Sequence, residues 1–384
     1  MVTAGKLPAV LELVAIDLPG GPLYVKVLQD AWDRGDAVLP LDQRLSTKAK
    51  AAVLEQLVPT AVEGPGGRTR LPGGRPVDPG DALVVATSGT TGAAKGVVLT
   101  HQAIAASAKA TSDRLGVDPD RHKWLACLPL NHVGGMSVVT RSLLTGTPVT
   151  VLPGFDADEV RSRSGPDVLV SLVRTALQRT GAGIFRTVLL GGSAPPPDLP
   201  ANVVTTYGLT ESGSGVVYDG VPLDGVEVAI DSRTGEIKLK GPMLLRCYRD
   251  GTEPFDDESW FRTGDSGRLD AAGHLVVDGR MSEIIITGGE NVWPAAVEVA
   301  LGSHPGVAEV AVTGRPDPEW GQKVVAWVVP TEASNPPSLP DLREVVAEKI
   351  APFAAPRELV IVAALPRTSI GKVRRDRFDD PPES

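Results

Sequence analysis

The 384 residues include 42 Gly and 34 Pro, about a fifth of the chain against an ordinary share of roughly an eighth, and 42% are hydrophobic. Such a composition builds tight loops around cores sufficient for two or three domains and excludes disorder throughout. A net charge of -9 repels nucleic acid and anionic lipid in bulk, and two cysteines, Cys127 and Cys247, exclude a disulfide scaffold and a cysteine metal cluster.

The first residues, MVTAGKLPAVLELVAIDLPG, lack the pattern of a secretory leader, and nowhere do 18 apolar residues run together. The expectation is a cytoplasmic protein in a reducing compartment, with no stable membrane association and no nucleic-acid partner. A bound polyanion would need a local positive site.

Along the chain, the spacing predicts a helix from Pro22 to Arg34, a strand from Ala37 to Leu41 and a helix from Ser46 to Leu57. Residues 63–80 hold six Gly and four Pro, a loop by composition. From Asp81 apolar runs alternate with helical patterns: ALVVA and IAASAKATSDRL, WLACLPL and VGGMSVVTRSLL, VTVL and DADEVRSR, DVLVSL and RTALQRT, then TVLLGG. Continuous apolar strands between helices imply a largely parallel sheet covered on both faces, an α/β core over about 81–205. After Tyr207, GVEVAI, GEIKLKG and HLVVDG suggest a small β subdomain reaching about residue 278. The remainder reads as a smaller α+β unit. PAAVEVALGS is its first helix, AEVAVTG, KVVAWVVP and ELVIVAAL its strands, and TEASNPPSLP an internal loop. LPDLREVVAEKI is its second helix, with Leu342, Val345, Val346, Lys349 and Ile350 on one side.

The most informative stretch is ALVVATSGTTGAAKGVVLTH, where a buried strand enters a loop of Gly, Ser and Thr with one lysine. Glycines let backbone amides converge on phosphate oxygens, Ser88, Thr90 and Thr91 add hydroxyls, and Lys95 adds a point charge. This is not the P-loop, because Ala94 and Gly96 occupy the places flanking the lysine. The competing reading is a plain surface loop.

TSGTTGAAKGVVLTH resembles the phosphate-binding signature of the adenylate-forming superfamily of acyl-CoA ligases, peptide-synthetase adenylation domains and luciferases. PLNHVGG, LLGGSAPP, TYGLTES, WFRTGD, GRMSEIIITGGENVWPAAVE and PRTSIGKVRR follow in the family's order across about 300 residues. The resemblance implies ATP, Mg²⁺ and CoA: a carboxylate joins the α-phosphate, pyrophosphate leaves, and a thiolate displaces AMP. It implies a large domain over 1–279, a hinge over 280–282 at Ser282, and a mobile C-terminal domain over 283–384.

Residue by residue, the resemblance assigns nucleotide binding to Thr87, Ser88, Gly89, Thr90, Thr91, Gly92, Lys95, Gly192, Ser193, Tyr207, Gly208, Thr210, Asp265 and Arg280. Tyr207 would lie on adenine, Thr210 at the α-phosphate, and Asp265 on the ribose hydroxyls. Glu211, with Thr91, would hold the metal. Lys372, Lys95, His132 and Glu211 form the catalytic set, with Lys372 bridging the substrate carboxylate and α-phosphate. Gly288 and Gly289 would form a side-chain-free wall for the CoA arm. Taken alone, Glu211 reads as a solvated loop acid, His132 as a packed or capping residue, and Lys372 as a solvated lysine.

Ser282, TGGENVWP and TYGLTESGSGVVYDGVPLDGVEV are most similar to the subgroup that activates o-succinylbenzoate in menaquinone biosynthesis, particularly its compact actinobacterial type. Two departures stand out. Glu283 replaces the commoner Asp, and only 87 residues precede the phosphate loop. The acyl site would comprise His132, Ser171, Arg174, Gly191, Ser193 and Gly208. A dicarboxylate needs a group for its second carboxylate, and Arg174 is the candidate, with Ser171 and Ser193 as neutral donors; Arg174 reads equally as a helix cap in solvent. The partners are then a small carboxylic acid, ATP and CoA, and a homodimer is compatible. The competing readings are another acyl-CoA ligase, an adenylation enzyme loading a carrier protein, and a non-catalytic nucleotide-binding protein.

Overall fold

The structure is a computed structural model that describes residues 10–88, 94–196, 198–367 and 373–378. By internal packing the chain forms two compact units, residues 1–228 with 239–262, and residues 229–238 with 263–384.

The first unit begins with β1 (Leu13–Ile16), α1 (Pro22–Asp33), β2 (Ala37–Pro40), α2 (Thr47–Leu57), β3 (Ala61–Gly64), β4 (Gly67–Arg70), β5 (Asp81–Ser88) and β6 (Ala94–Thr100). Then come α3 (His101–Leu115), β7 (Lys123–Ala126), α4 (Val133–Thr145), β8 (Val149–Val151), α5 (Ala157–Ser162), β9 (Gly165–Leu172), α6 (Arg174–Thr180) and β10 (Phe185–Leu190). After these lie β11 (Val203–Gly208), β12 (Gly215–Tyr218) and β13 (Val221–Pro222), then β14 (Glu227–Ile230) and β15 (Glu236–Lys240), which fall mostly in the second unit and share a sheet with the strands Phe261–Leu269 and Leu275–Arg280, in that order, and β16 (Cys247–Tyr248), back in the first.

Two seven-stranded sheets carry this unit, in the orders β16-β6-β5-β2-β1-β3-β4 and β13-β12-β11-β10-β9-β7-β8. In the second, β8, β7, β9, β10 and β11 run parallel, and the buried apolar runs of the central β7, β9 and β10 fit a sheet covered on both faces. The chain leaves β7 for β8 on one side and then returns to β9 on the other. The crevice beyond the carboxyl ends of β7 and β9 is therefore a topological switch point, where ligands of open α/β sheets bind.

Two expectations fail here. Residues 63–80 are not all loop, because β3 and β4 pair antiparallel from Ala61–Arg70 to Gly64–Gly67. Glycines at the turn allow this, Gly67 having φ +90°. The parallel core also does not begin at residue 81. β5 folds back on β6, pairing Asp81 with Thr100 and Thr87 with Lys95, so GVVLT is a strand that the search for strand-helix alternation overlooks.

The second unit contains the β17 (Phe261–Leu269) residues from Thr263 onward, then β18 (Leu275–Arg280), β19 (Ile285–Thr287), β20 (Glu290–Val292), α7 (Pro294–Leu301), β21 (Val307–Asp317), β22 (Gly321–Pro330), α8 (Leu339–Lys349) and β23 (Glu358–Ile361). Its sheet runs β20-β19-β22-β21, with β23 parallel to β22. Val297, Leu301, Val324, Val328, Leu342 and Val346 fill the core. Lys349 and Ile350 do not join the buried face of α8: Ile350 is 41% exposed because the helix ends there in a non-helical conformation.

Residues 263–280 pack with this second unit, whereas 279 is the domain end expected from the family. Hydrogen bonding ties them to one another and to residues 229–238 of the same unit. β17 and β18 pair from Asp265–Arg280 to Leu269–Leu275, and the Thr263 hydroxyl donates to the Ile237 carbonyl at 2.7 Å.

Candidate active site

The β5–β6 hairpin delivers the first charged group. Thr87 Oγ1 donates to the Lys95 carbonyl at 3.3 Å, and the Lys95 side chain is exposed beyond the turn. β16 pairs with β6 on the other edge, Tyr248 opposite Val97, which brings the Tyr248 ring 5.2 Å from Lys95 Nζ. The Tyr248 hydroxyl donates to Glu211 Oε1 at 3.0 Å. Glu211 sits in the one-turn helix Thr210–Ser212, locked by the fully buried Ser212 hydroxyl, which accepts from Leu209 N and donates to the Ser214 carbonyl at 2.8 Å, with the Leu209 carbonyl its alternative acceptor at 3.0 Å. Lys95 and Glu211 are thereby gathered through Tyr248, a residue that no sequence motif flagged. No strand was expected at Cys247–Tyr248 either.

At the carboxyl ends of the parallel strands, Gly191 N donates to Leu172 O at 3.2 Å, and a Cβ on Gly191 would lie 2.6 Å from Thr206 Oγ1. A Cβ on Gly208 would collide with Ser214 O at 2.1 Å. Gly191 thus makes room for a neighbouring hydroxyl and Gly208 for close backbone approach, at the carboxyl ends of β9, β10 and β11, where Ser171, Gly192, Ser193 and Tyr207 also lie. Ser171 pairs with Leu189 in register, and Gly192 has φ +87°.

His132 caps α4 with extended backbone and no capping side-chain bond; its Nε2 lies 3.1 Å from Asn131 Nδ2. The space beside Gly135 is taken by protein, since its Cβ would lie 2.5 Å from the carbonyl oxygens of both Leu128 and Pro129. This glycine lets the helix start close to the strand end and offers no open anion cradle of its own. Arg174 is the first residue of α6, half-buried, with no ion pair among the described residues.

In the second unit Asp265 and Arg280 face one another across β17 and β18, with Arg280 Nε 2.9 Å from Asp265 Oδ1 and Arg280 Nη1 donating to Thr263 O. Asp265 is 5% exposed. Ser282 is exposed in the short helix Met281–Glu283. Gly288 and Gly289 turn the β19–β20 hairpin with φ +59° and +84°. Gly288 also packs against a ring, because a Cβ there would lie 2.8 Å from Trp320 Cε3. Gly89, Thr90, Thr91, Gly92 and Lys372 lie outside the described residues, as does the Ser88 side chain.

Residues 23–249 match the AMP-binding enzyme family, and residues 296–372 match the AMP-binding enzyme C-terminal domain. The chain belongs to this family. A Mycobacterium tuberculosis protein named probable 2-succinylbenzoate-CoA ligase is 41% identical over 364 residues, covering 88% of this chain and 93% of that protein. The 2-succinylbenzoate-CoA ligase of Listeria monocytogenes is 35% identical over 332 residues, or 78% of this chain and 70% of its own length. Among solved structures, Bacillus subtilis o-succinylbenzoate CoA synthetase with its acyl-adenylate intermediate aligns at TM-score 0.84 and 27% identity, covering 96% of this chain and 88% of that one. The same enzyme with ATP and magnesium aligns at 0.83 and 27% identity, covering 96% and 89%.

The family's divalent cation suits the residues present. Among the described residues no group of three or more His, Cys, Asp or Glu side chains forms a metal cage. Mg²⁺ instead takes one or two carboxylates together with substrate phosphates. Glu211, with one oxygen accepting the Tyr248 hydroxyl, keeps lone pairs for such an ion. No described helix is long and apolar enough to cross a membrane.

A second residue escaped sequence reasoning. Arg141 on α4 is 1% exposed, stacks 4.6 Å over the Trp124 ring and donates from Nη2 to Ser214 Oγ at 3.3 Å. Among the described residues its Nε and Nη1 have no hydrogen-bond partner, and burial draws the guanidinium below its ordinary pKa. A buried cation with no ion pair among the described residues is costly. Only the spacing of Arg141 along α4 from His132 could have pointed to it.

Proposed function

We propose that this chain is an ATP-dependent ligase that adenylates o-succinylbenzoate and transfers the acyl group to CoA in menaquinone biosynthesis. The observation that carries the chemistry is the convergence of Lys95 and Glu211 on Tyr248, which brings a cation and a metal-capable carboxylate close together. The choice of acid follows from the named relatives.

Lys95 would neutralise phosphate charge, Glu211 would hold the Mg²⁺ that supplies further charge neutralisation, and Asp265, oriented by Arg280, would accept the ribose hydroxyls. Lys372 would bridge carboxylate and α-phosphate, stabilising charge that grows during adenylation. Arg141, with Arg174 as its rival, would hold the second carboxylate of the acid. Residues 283–384 would turn about Arg280–Ser282 between half-reactions, with Gly288 and Gly289 bordering the CoA arm. The working place would be the cytoplasm, with no nucleic-acid partner; a homodimer is compatible with all of this.

The test is a panel of carboxylic acids assayed for AMP release and thioester formation with ATP, Mg²⁺ and CoA. o-Succinylbenzoate is expected to give both. AMP release without CoA consumption, relieved by a phosphopantetheinyl carrier protein, would move the assignment to carrier loading. No acid-dependent exchange between pyrophosphate and ATP would remove the enzyme reading altogether.

A further inference from the structure

An ammonium and a carboxylate brought into one site tend to pair and so cancel the charges that a ligand needs. Among the described residues no ion pair joins Lys95 to Glu211; each meets a different part of Tyr248. The ring lies under the ammonium, and the hydroxyl donates to the carboxylate. Tyr248 itself is held by its surroundings. Its strand pairs with β6, Arg249 N donates to Gly96 O, and the buried Arg249 side chain donates to the carbonyls of Leu57 and Pro76.

We propose that Tyr248 is a positioning residue for adenylation: its ring retains Lys95 and its hydroxyl aims Glu211, keeping both charges available to a triphosphate and its divalent cation. A π-face attracts an ammonium without neutralising it. A single donated hydrogen bond fixes a carboxylate while leaving most of its lone pairs for a hard cation. The proposal rests on the ligase reading above.

The experiment measures ATP affinity of the full chain by calorimetry across a magnesium titration, for wild type, Tyr248→Phe and Tyr248→Leu, alongside the Michaelis constants for both substrates. Absence of ATP binding by wild type would defeat the ligase reading, independently of the tyrosine. Given wild-type binding, Tyr248→Phe keeps the ring and should need about tenfold more magnesium for equal ATP affinity, since it loses a hydrogen bond to a charged group. Its affinity at saturating magnesium, and its Michaelis constant for the acid, should match wild type. Tyr248→Leu should also bind ATP roughly threefold to tenfold more weakly at saturating magnesium. Both variants should convert supplied acyl-adenylate to thioester at the wild-type rate. An unchanged magnesium requirement in Tyr248→Phe, or an equal loss in the thioester step, overturns the proposal. If Tyr248→Leu does not fold, the Phe variant decides alone.

Discussion

In the first unit an aromatic ring stands between an ammonium and a carboxylate, whereas in the second a guanidinium and a carboxylate meet directly, at 2.9 Å across β17 and β18. Burial accounts for the contrast. Asp265 is 5% exposed, where a carboxylate without a partner is costly, while Glu211 is only half-buried, where water lowers that cost. A paired charge becomes part of the scaffold, and a separated one is kept for the ligand. Glu211→Gln should therefore cost adenylation roughly 10²–10³-fold while leaving the melting temperature near wild type. Asp265→Asn should weaken ATP binding and also lower the melting temperature. If the two variants lose stability equally, Glu211 is scaffold as well and the contrast fails.

The same physics explains what could be read from the residues. The parallel strands β7 to β10 were legible from their apolar runs, whereas β11, with two threonines and a tyrosine, was not; α3 was legible because Thr100 caps it, accepting from Ala103 N, and Gly116 ends it in the left-handed region. The β3–β4 hairpin was not, since GRTR is fully exposed and leaves no apolar pattern. Motif spacing led to Lys95, Glu211, Asp265 and Arg280 because each chemical role falls within a short run. Tyr248 and Arg141 lay hidden for a common reason: each acts across a long stretch of sequence, on Glu211 and on Ser214 respectively, through contacts that only the sheet order creates.

Arg141 and Arg174 sharpen the contrast further, as a buried cation and a half-buried one. Arg141→Met keeps the packing on Trp124 and removes the unmatched guanidinium, so folding stability should hold or rise. The Michaelis constant for o-succinylbenzoate should rise by about tenfold or more, because a buried charged hydrogen bond to the second carboxylate is lost. Activity on a monocarboxylic analogue should barely change. Arg174→Ala should leave the constant for o-succinylbenzoate alone. The reverse pattern would restore Arg174 as the holder of that carboxylate and leave Arg141 a core residue.

A third way to satisfy a carboxylate uses neither ring nor cation. At the start of α8 the Ser338 side chain accepts from Asp341 N, and Asp341 accepts in return from the Ser338 hydroxyl at 2.6 Å and from Ser338 N. These bonds, the hydroxyl's foremost, hold the Asp341 carboxyl below its ordinary value of 3.8. A depressed folded value means that the carboxylate's stabilisation is complete above the unfolded value and is lost as pH falls through the folded one. Ser338→Ala should cost about 1 kcal/mol at neutral pH, the usual worth of a cap. Asp341→Asn should melt slightly below wild type at pH 7, and the gap should close in acid below the ordinary aspartate range. A gap that persisted in acid would mean that the asparagine disturbs packing rather than charge. Neither variant should alter the magnesium requirement, which separates this local device from the charges gathered around Tyr248.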